Sequence, residues 1–248
     1  MMQQKAKGQL AQTKWWQLRS CLGKPARKIL PHLPRPVGSL LYSLGRGTIW
    51  RDPRKPLFRR VFAEVSQSTG SGDYLEFGVF LGGSLLMAYN MSKKFGLDTM
   101  RFFAFDSFKG LPEDEGGIFQ KGDFSQASEE WFMGSVRNSG MDMSRLFVVN
   151  GWFNETLNQN TKNMHTLRRA AVIHVDCDVY VSAKEVFPFV EDLVCDGTIL
   201  ILDDWFSYGD TDEFGERRAF REWSMSKNFH ELVESPPHSK AFVYRASE

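Results

Sequence analysis

Two short apolar runs, each closed by acids, constrain this chain more than any other feature. Residues 170–175 (AAVIHV) lead into Asp176 and Asp178, and residues 198–202 (TILIL) lead into Asp203 and Asp204. Runs of aliphatic and β-branched residues without alternation read as strands buried on both faces of a parallel sheet. Open parallel sheets collect their functional groups at the carboxyl ends of the strands. Two neighbouring strands therefore bring three or four carboxylates to one point. Like charges held that close repel, so a positive partner is expected among them, and a hard divalent cation with oxygen ligands is the simplest one. A single Asp after a strand is commonly a helix cap or a turn former. Two pairs at equivalent strand ends favour a shared metal or catalytic site.

Around these runs, strands and helices alternate. Strands are expected at 73–77, 101–105, 146–149, 170–175 and 198–202, with helices at 57–68, 83–95, 129–138, 163–168, 182–196 and 215–226. Residues 229–234 and 241–245 read as a closing antiparallel pair joined through Pro236 and Pro237. Repeated β-α alternation implies an α/β domain with a doubly wound, mostly parallel sheet. The antiparallel C-terminal strand pair is the pattern of class I methyltransferases and is absent from most dinucleotide dehydrogenases. A chain of 248 residues with 42% hydrophobic residues and 21 Phe can bury a substantial core of this kind.

Charge divides the chain. Residues 1–60 hold 14 Lys/Arg and one acid, Asp52, whereas residues 61–248 hold 17 Lys/Arg and 29 Asp/Glu, for an overall +1. The reading is a basic, proline-broken N-terminal arm (1–60), with one short helix near 38–44, ahead of an acidic domain (61–248). Such an arm can touch anionic lipid, bind nucleic acid, or dock on an acidic surface. Trp15, Trp16 and the following leucines favour a peripheral membrane or subunit contact, and no nucleic acid is expected. No stretch reaches the ~18 apolar residues of a membrane-spanning helix, and the start does not resemble a signal peptide. Cys21, Cys177 and Cys195 fit neither zinc spacing nor a disulfide framework, which points to a cytoplasmic setting.

Three further strand ends carry chemistry. The first strand runs into Glu76, Gly78, Gly82, Gly83 and Ser84. Glycines in a strand-to-helix turn allow a ligand to lie against backbone, and a helix N-terminus offers free N–H groups. The spacing is not that of a pyrophosphate loop. Glu76 suits a ligand with an ammonium group, such as the methionine end of S-adenosylmethionine. The second strand ends at Asp106 and Ser107, where nucleoside-binding α/β folds hold ribose hydroxyls. The third ends at Gly151 and Trp152, where an aromatic can flank an adenine. His174 reads as a core histidine or one behind the acidic site, while His165, His230 and His238 show no useful spacing. Arg217 and Arg218 fall near the acidic site, with a surface role favoured. Residues 119–131 have the length, glycines and aromatics of a lid.

In this order and spacing, Glu76-Phe-Gly78 with Gly82-Gly83-Ser84, then 105–112 (FDSFKGLP), Gly151-Trp152-Phe153 with Thr156-Leu157, then Asp176-Cys-Asp178-Val-Tyr180 with Ser182, Asp203-Asp204-Trp205, and 215–219 resemble the macrocin O-methyltransferase family across about residues 70–245. The resemblance implies a metal-dependent O-methyltransferase that uses S-adenosylmethionine and magnesium, methylates sugar hydroxyls of natural products, and forms a homo-oligomer. Carried over by position, Asp176, Asp203 and Asp204 become metal ligands, and Asp178 a further ligand or the base. Catechol O-methyltransferases place Lys three residues after the first ligand. Val179 stands there, which weakens a phenolic acceptor.

Overall fold

A computed structural model describes residues 52–68 and 72–246. The arm's tryptophans and its expected short helix lie outside the described residues. The compact unit that holds the sheet starts at Asp52 rather than at residue 61. The reason is helix α1 (Lys55–Gln67), which begins just after Pro53 and buries Leu57, Phe58, Val61, Phe62 and Val65. That stripe recurs at helical spacing and needs the sheet to cover it. By charge alone the first turn of α1 belongs with the arm, because Arg54, Lys55, Arg59 and Arg60 fall there in sequence.

The elements then follow as β1 (Asp73–Phe77), α2 (Gly83–Lys94), β2 (Phe102–Asp106), α3 (Glu129–Asn138), β3 (Leu146–Asn150), α4 (Phe153–Thr156), α5 (Gln159–Met164), β4 (Ala170–Val175), α6 (Tyr180–Val190), β5 (Ile199–Leu202), α7 (Gly215–Ser224), β6 (Phe229–Ser235) and β7 (Ser239–Tyr244). The sheet order is β3-β2-β1-β4-β5-β7-β6. The first five strands in that order pair in parallel, and β7 is antiparallel to both β5 and β6. The doubly wound reading with its antiparallel end therefore holds. The chain moves outward from β1 through β2 to β3, then returns to β4 on the other side. This reversal opens a crevice at the carboxyl ends of β1 and β4.

Side chains alternate across the sheet. Tyr74, Glu76 and His174 point to the face covered by α1, where Phe58 meets the His174 ring edge-on at 5.4 Å. Phe77, Phe105, Val175 and Leu202 point to the other face, in one cluster with Phe187, Phe189 and Phe220 of the later helices. Phe77 and Phe105 stack at 4.7 Å, and Phe189 closes on both edges. Two helical segments differ from expectation. Residues 159–164 are helical instead of 163–168, because Asn158 caps Thr161 N–H and starts the helix earlier. The α6 segment stops at Val190 and tightens into a 3-10 turn, Glu191–Leu193.

Candidate active site

The glycine turn after β1 is shaped mainly by its own neighbours. Gly78 has φ +87°, and a Cβ there would fall 1.9 Å from the Asp176 carbonyl oxygen. Its absence lets the β1 turn lie directly on the end of β4. Gly82 caps α2 with φ +80°, and a Cβ would strike Val136 and Phe132 of α3. Gly83 faces open space. Gly78 and Gly82 thus sit closely against Asp176 and α3, whereas Gly83 has space in front of its backbone.

Asp106 ties this turn to β2. Its Oδ2 accepts from Val79 and Phe80 N–H at 2.9 and 3.2 Å, and its Oδ1 accepts from Phe108 N–H at 2.8 Å. Ser107 Oγ accepts from Lys109 N–H at 3.1 Å. Gly151 follows β3 and donates its N–H to the Asp106 carbonyl, and Trp152 precedes α4 with the Lys109 ammonium 6.0 Å from its ring. The strand order brings Gly83, Asp106, Ser107, Gly151 and Trp152 to the carboxyl ends of the adjacent strands β1, β2 and β3.

Glu76 is a departure. It is fully buried. Oε1 accepts from Ser84 Oγ at 2.6 Å and Oε2 from Tyr74 Oη at 2.5 Å. The structure shows a carboxylate that holds Ser84 at the start of α2 rather than one that faces solvent to receive an ammonium.

Behind Glu76 runs a buried polar chain. Tyr74 Oη lies 3.0 Å from His174 Nδ1, and His174 Nε2 lies 3.4 Å from Asp203 Oδ1. Burial disfavours a charged imidazole, yet the contacts with Asp203 and Glu76 outweigh it and push His174 up to about 10. His174 thus lies between two carboxylates that favour its charged form. It connects the β1 end to the acidic site, as the sequence reading allowed.

The acids after β4 and β5 do converge. One oxygen from each of Asp176, Asp203 and Asp204 lies within 4.8 Å of the others. Two residues not singled out as site groups organise them. Glu216, in the first turn of α7 and fully buried, accepts from Cys177 and Asp178 N–H through Oε1 at 2.8 and 3.2 Å, and from Asp204 N–H through Oε2 at 3.1 Å. One carboxylate thereby gathers both acid-bearing loops. Arg54, just before α1, places Nη1 at 2.8 Å from each Asp203 oxygen and 3.8 Å from Asp176. The positive partner anticipated among the acids is thus supplied at Asp203 by the protein itself. Glu216 carried a faint signal, a Glu at the start of a helix after glycine. Arg54 carried none.

The electrostatics divide the cluster. Burial alone raises the Asp203 pKa, but Arg54 and the His174 hydrogen bond outweigh it and hold Asp203 well below the usual carboxylate range. Asp176 is pushed up by burial and by Asp203. Asp178 is pushed up by burial, then by Asp204 and Asp176, and it shares a hydrogen bond with Asp204. Glu216 is pushed up by burial, then by Asp204 and Asp176. Asp178 also holds φ +63°, a left-handed conformation fixed in part by Tyr208 Oη, which donates to its carbonyl. Away from Arg54 the cluster carries more negative charge than the protein offsets. All its donors are oxygens. This set fits a hard divalent cation.

The 119–131 segment expected as a lid runs into α3 from Glu129, and the loop ahead of it, 111–127, packs against Val179 and Tyr208. Glu115 accepts from Tyr180 N–H at 2.5 Å and Gly215 N–H at 3.0 Å, pinning this loop to the N-termini of α6 and α7. Phe119 packs on Tyr208 and Tyr208 stacks on Phe214. Arg217 pairs with Asp210 and Asp212, and Arg218 with Glu222. Their charges are engaged at the surface, as favoured from the sequence.

The sheet order, the glycine turn and the acids after β2, β4 and β5 define a class I methyltransferase fold. Solved structures agree: the O-methyltransferase NovP superposes with a TM-score of 0.62 at 20% identity, covering 78% of this chain and 80% of that one. A calicheamicin methyltransferase gives 0.62 at 19% identity, covering 89% of this chain and 90% of that one. At these identities the likeness is one of fold. Residues 47–233 match the model of the macrocin O-methyltransferase (TylF) family, and the chain belongs to that family. A demethyldecarbamoylnovobiocin O-methyltransferase from Streptomyces niveus is 25% identical over 156 residues, which span 59% of this chain and 58% of that relative's length. Among the described residues, no helix is long and apolar enough to cross a membrane.

Proposed function

We propose that this chain moves a methyl group from S-adenosylmethionine to a hydroxyl of a sugar-bearing natural product or glycan, with a divalent cation, magnesium in the first instance, at Asp176, Asp203 and Asp204. The observation that carries the reading is the convergence of those carboxylates at the ends of β4 and β5, beside the turn that follows β1. Family membership supports it. So does the chemistry in the relatives' names, which include a TDP-rhamnose 3'-O-methyltransferase of the same fold.

The chain's own groups divide the task. Asp106, Ser107, the Gly83 backbone, Gly151 and Trp152 hold the cofactor's nucleoside at the carboxyl ends of β1, β2 and β3. Ser84, backed by Glu76, serves its amino-acid end. A bound divalent cation lowers the pKa of the acceptor hydroxyl. The Asp178 carboxylate takes the hydroxyl proton. A positioned carboxylate within reach of the acceptor is the group such a proton transfer needs. The 111–127 loop keeps water away from the transfer.

Calorimetric titration with S-adenosylhomocysteine, with and without magnesium, tests the first half. Micromolar binding is expected. Asp203→Ala and Asp204→Ala should then abolish magnesium-dependent transfer to glycosylated acceptors while leaving that affinity within about twofold. Absence of binding by folded protein under both conditions refutes the cofactor reading. An equal fall in cofactor affinity for both variants refutes the separation into two sites.

A further inference from the structure

We propose that Arg54 is an internal counter-ion that occupies Asp203 in place of the divalent cation and must swing aside when the cation binds. This inference rests on the metal site proposed above. Arg54 Nη1 sits equidistant, at 2.8 Å, from both Asp203 oxygens. That is the position on the carboxylate where a chelated cation would lie. The same nitrogen is 3.8 Å from Asp176, a second proposed ligand. A guanidinium and a divalent cation on one buried carboxylate repel each other strongly.

Asp203 is also fully committed without a metal. Its Oδ1 accepts from Ser239 Oγ at 2.7 Å as well as from Arg54, with His174 alongside. Arg54 and His174 both lie near Asp176 as well, and of the two Arg54 is the one that spans both Asp203 oxygens. The surroundings of Arg54 suit it to leave. Asp52, in the same turn, binds Nε at 3.1 Å, Nη2 at 2.9 Å and the Arg54 backbone N–H at 2.9 Å. Only Nη1 reaches the acidic site. Release of Asp203 therefore needs the planar guanidinium to turn together with the Asp52 carboxylate or to give up one of its bonds to it, and either leaves Asp52 as a remaining partner.

The test reads metal binding alone, by manganese titration followed by electron paramagnetic resonance, on the full chain and on Arg54→Met. The variant should bind Mn²⁺ at least about tenfold more tightly, since one competing charge is gone. Its metal-free melting temperature should fall, and its gain on adding Mn²⁺ should exceed that of the unaltered protein. Arg54→Gln keeps an amide donor at Asp203 without the charge. It should shift affinity in the same direction and serves if the methionine variant does not fold. Equal or weaker Mn²⁺ binding in a folded variant overturns the proposal and leaves the metal site standing. No Mn²⁺ binding by any of the three proteins overturns both.

Discussion

Removal of the Glu216 carboxylate should unravel the acidic site from its backbone. The Glu216→Ala change orphans three N–H groups, the buried ones of Cys177 and Asp178 and the part-buried one of Asp204, now bonded at 2.8, 3.2 and 3.1 Å. An unsatisfied buried donor costs about 1–3 kcal/mol, so three cost about 3–9 kcal/mol before any relief. Two effects offset this. A buried acid whose charged form its neighbours disfavour leaves the cluster, and the space left by the side chain admits water to part of the set. We expect a net loss of about 3–5 kcal/mol, a large share of the stability of a typical domain. Glu216→Gln retains one acceptor oxygen but turns an amide N–H toward a donor, and should lose about half as much, roughly 1.5–3 kcal/mol. Urea unfolding of metal-free protein at fixed pH, with slopes compared to confirm a common transition, measures both. A loss below about 1 kcal/mol for the alanine variant, or a glutamine variant less stable than it, refutes the view that this carboxylate holds the two loops together.

Three other outcomes are expected. Metal-free stability should fall as pH rises from about 4 to about 10. Asp176, Asp178 and Glu216 have raised folded-state pKa values, so the native state holds protons that the unfolded chain has already released, and His174 does the same up to about 10. Asp203 is shifted the opposite way, and its contribution is lost only as pH falls through its own low value. Thermal melts across this range check the sign, which magnesium should flatten by displacing the extra protons, and a metal-free rise in stability from pH 6 to 9 contradicts it. Asp106→Ala should weaken S-adenosylhomocysteine binding by tenfold or more, about 1.5–3 kcal/mol, because the ribose site and the N–H groups of Val79, Phe80 and Phe108 lose a shared acceptor. Calorimetry decides this, an unchanged affinity being the adverse result. Glu115→Ala should free the loop and speed proteolysis within 111–127 while the global melting temperature shifts by only a few degrees. Cleavage at an unchanged rate rejects the pinning role.

The strands could be read from the chain because sheet burial writes itself into composition. AAVIHV became β4 with all six residues buried, and ILIL became a fully buried β5. The acids fell into place because the carboxyl ends of adjacent parallel strands are adjacent by construction. Arg54 escaped because its partner lies 149 positions away and its neighbours are basic, so local charge assigned it to the arm. Glu76 misled for a related reason. An acid at a strand end suggests an exposed ligand group, but its neighbours Tyr74 and Ser84 satisfy it from within. The roles of Gly78 and Gly82 depend on what lies against them, Asp176 and α3, and only coordinates provide that.

The way Glu216 grips the acid-bearing loops separates shape from charge in this site. It binds main-chain N–H groups, so the path of both loops is set without reference to the side chains at 176, 178, 203 and 204. Those four positions can change while the frame persists. A lineage that altered or lost its metal chemistry would retain the same cradle at the strand ends, and an engineer could install other ligand sets on it. What such experiments should leave untouched is Glu216, which holds the main chain of both loops.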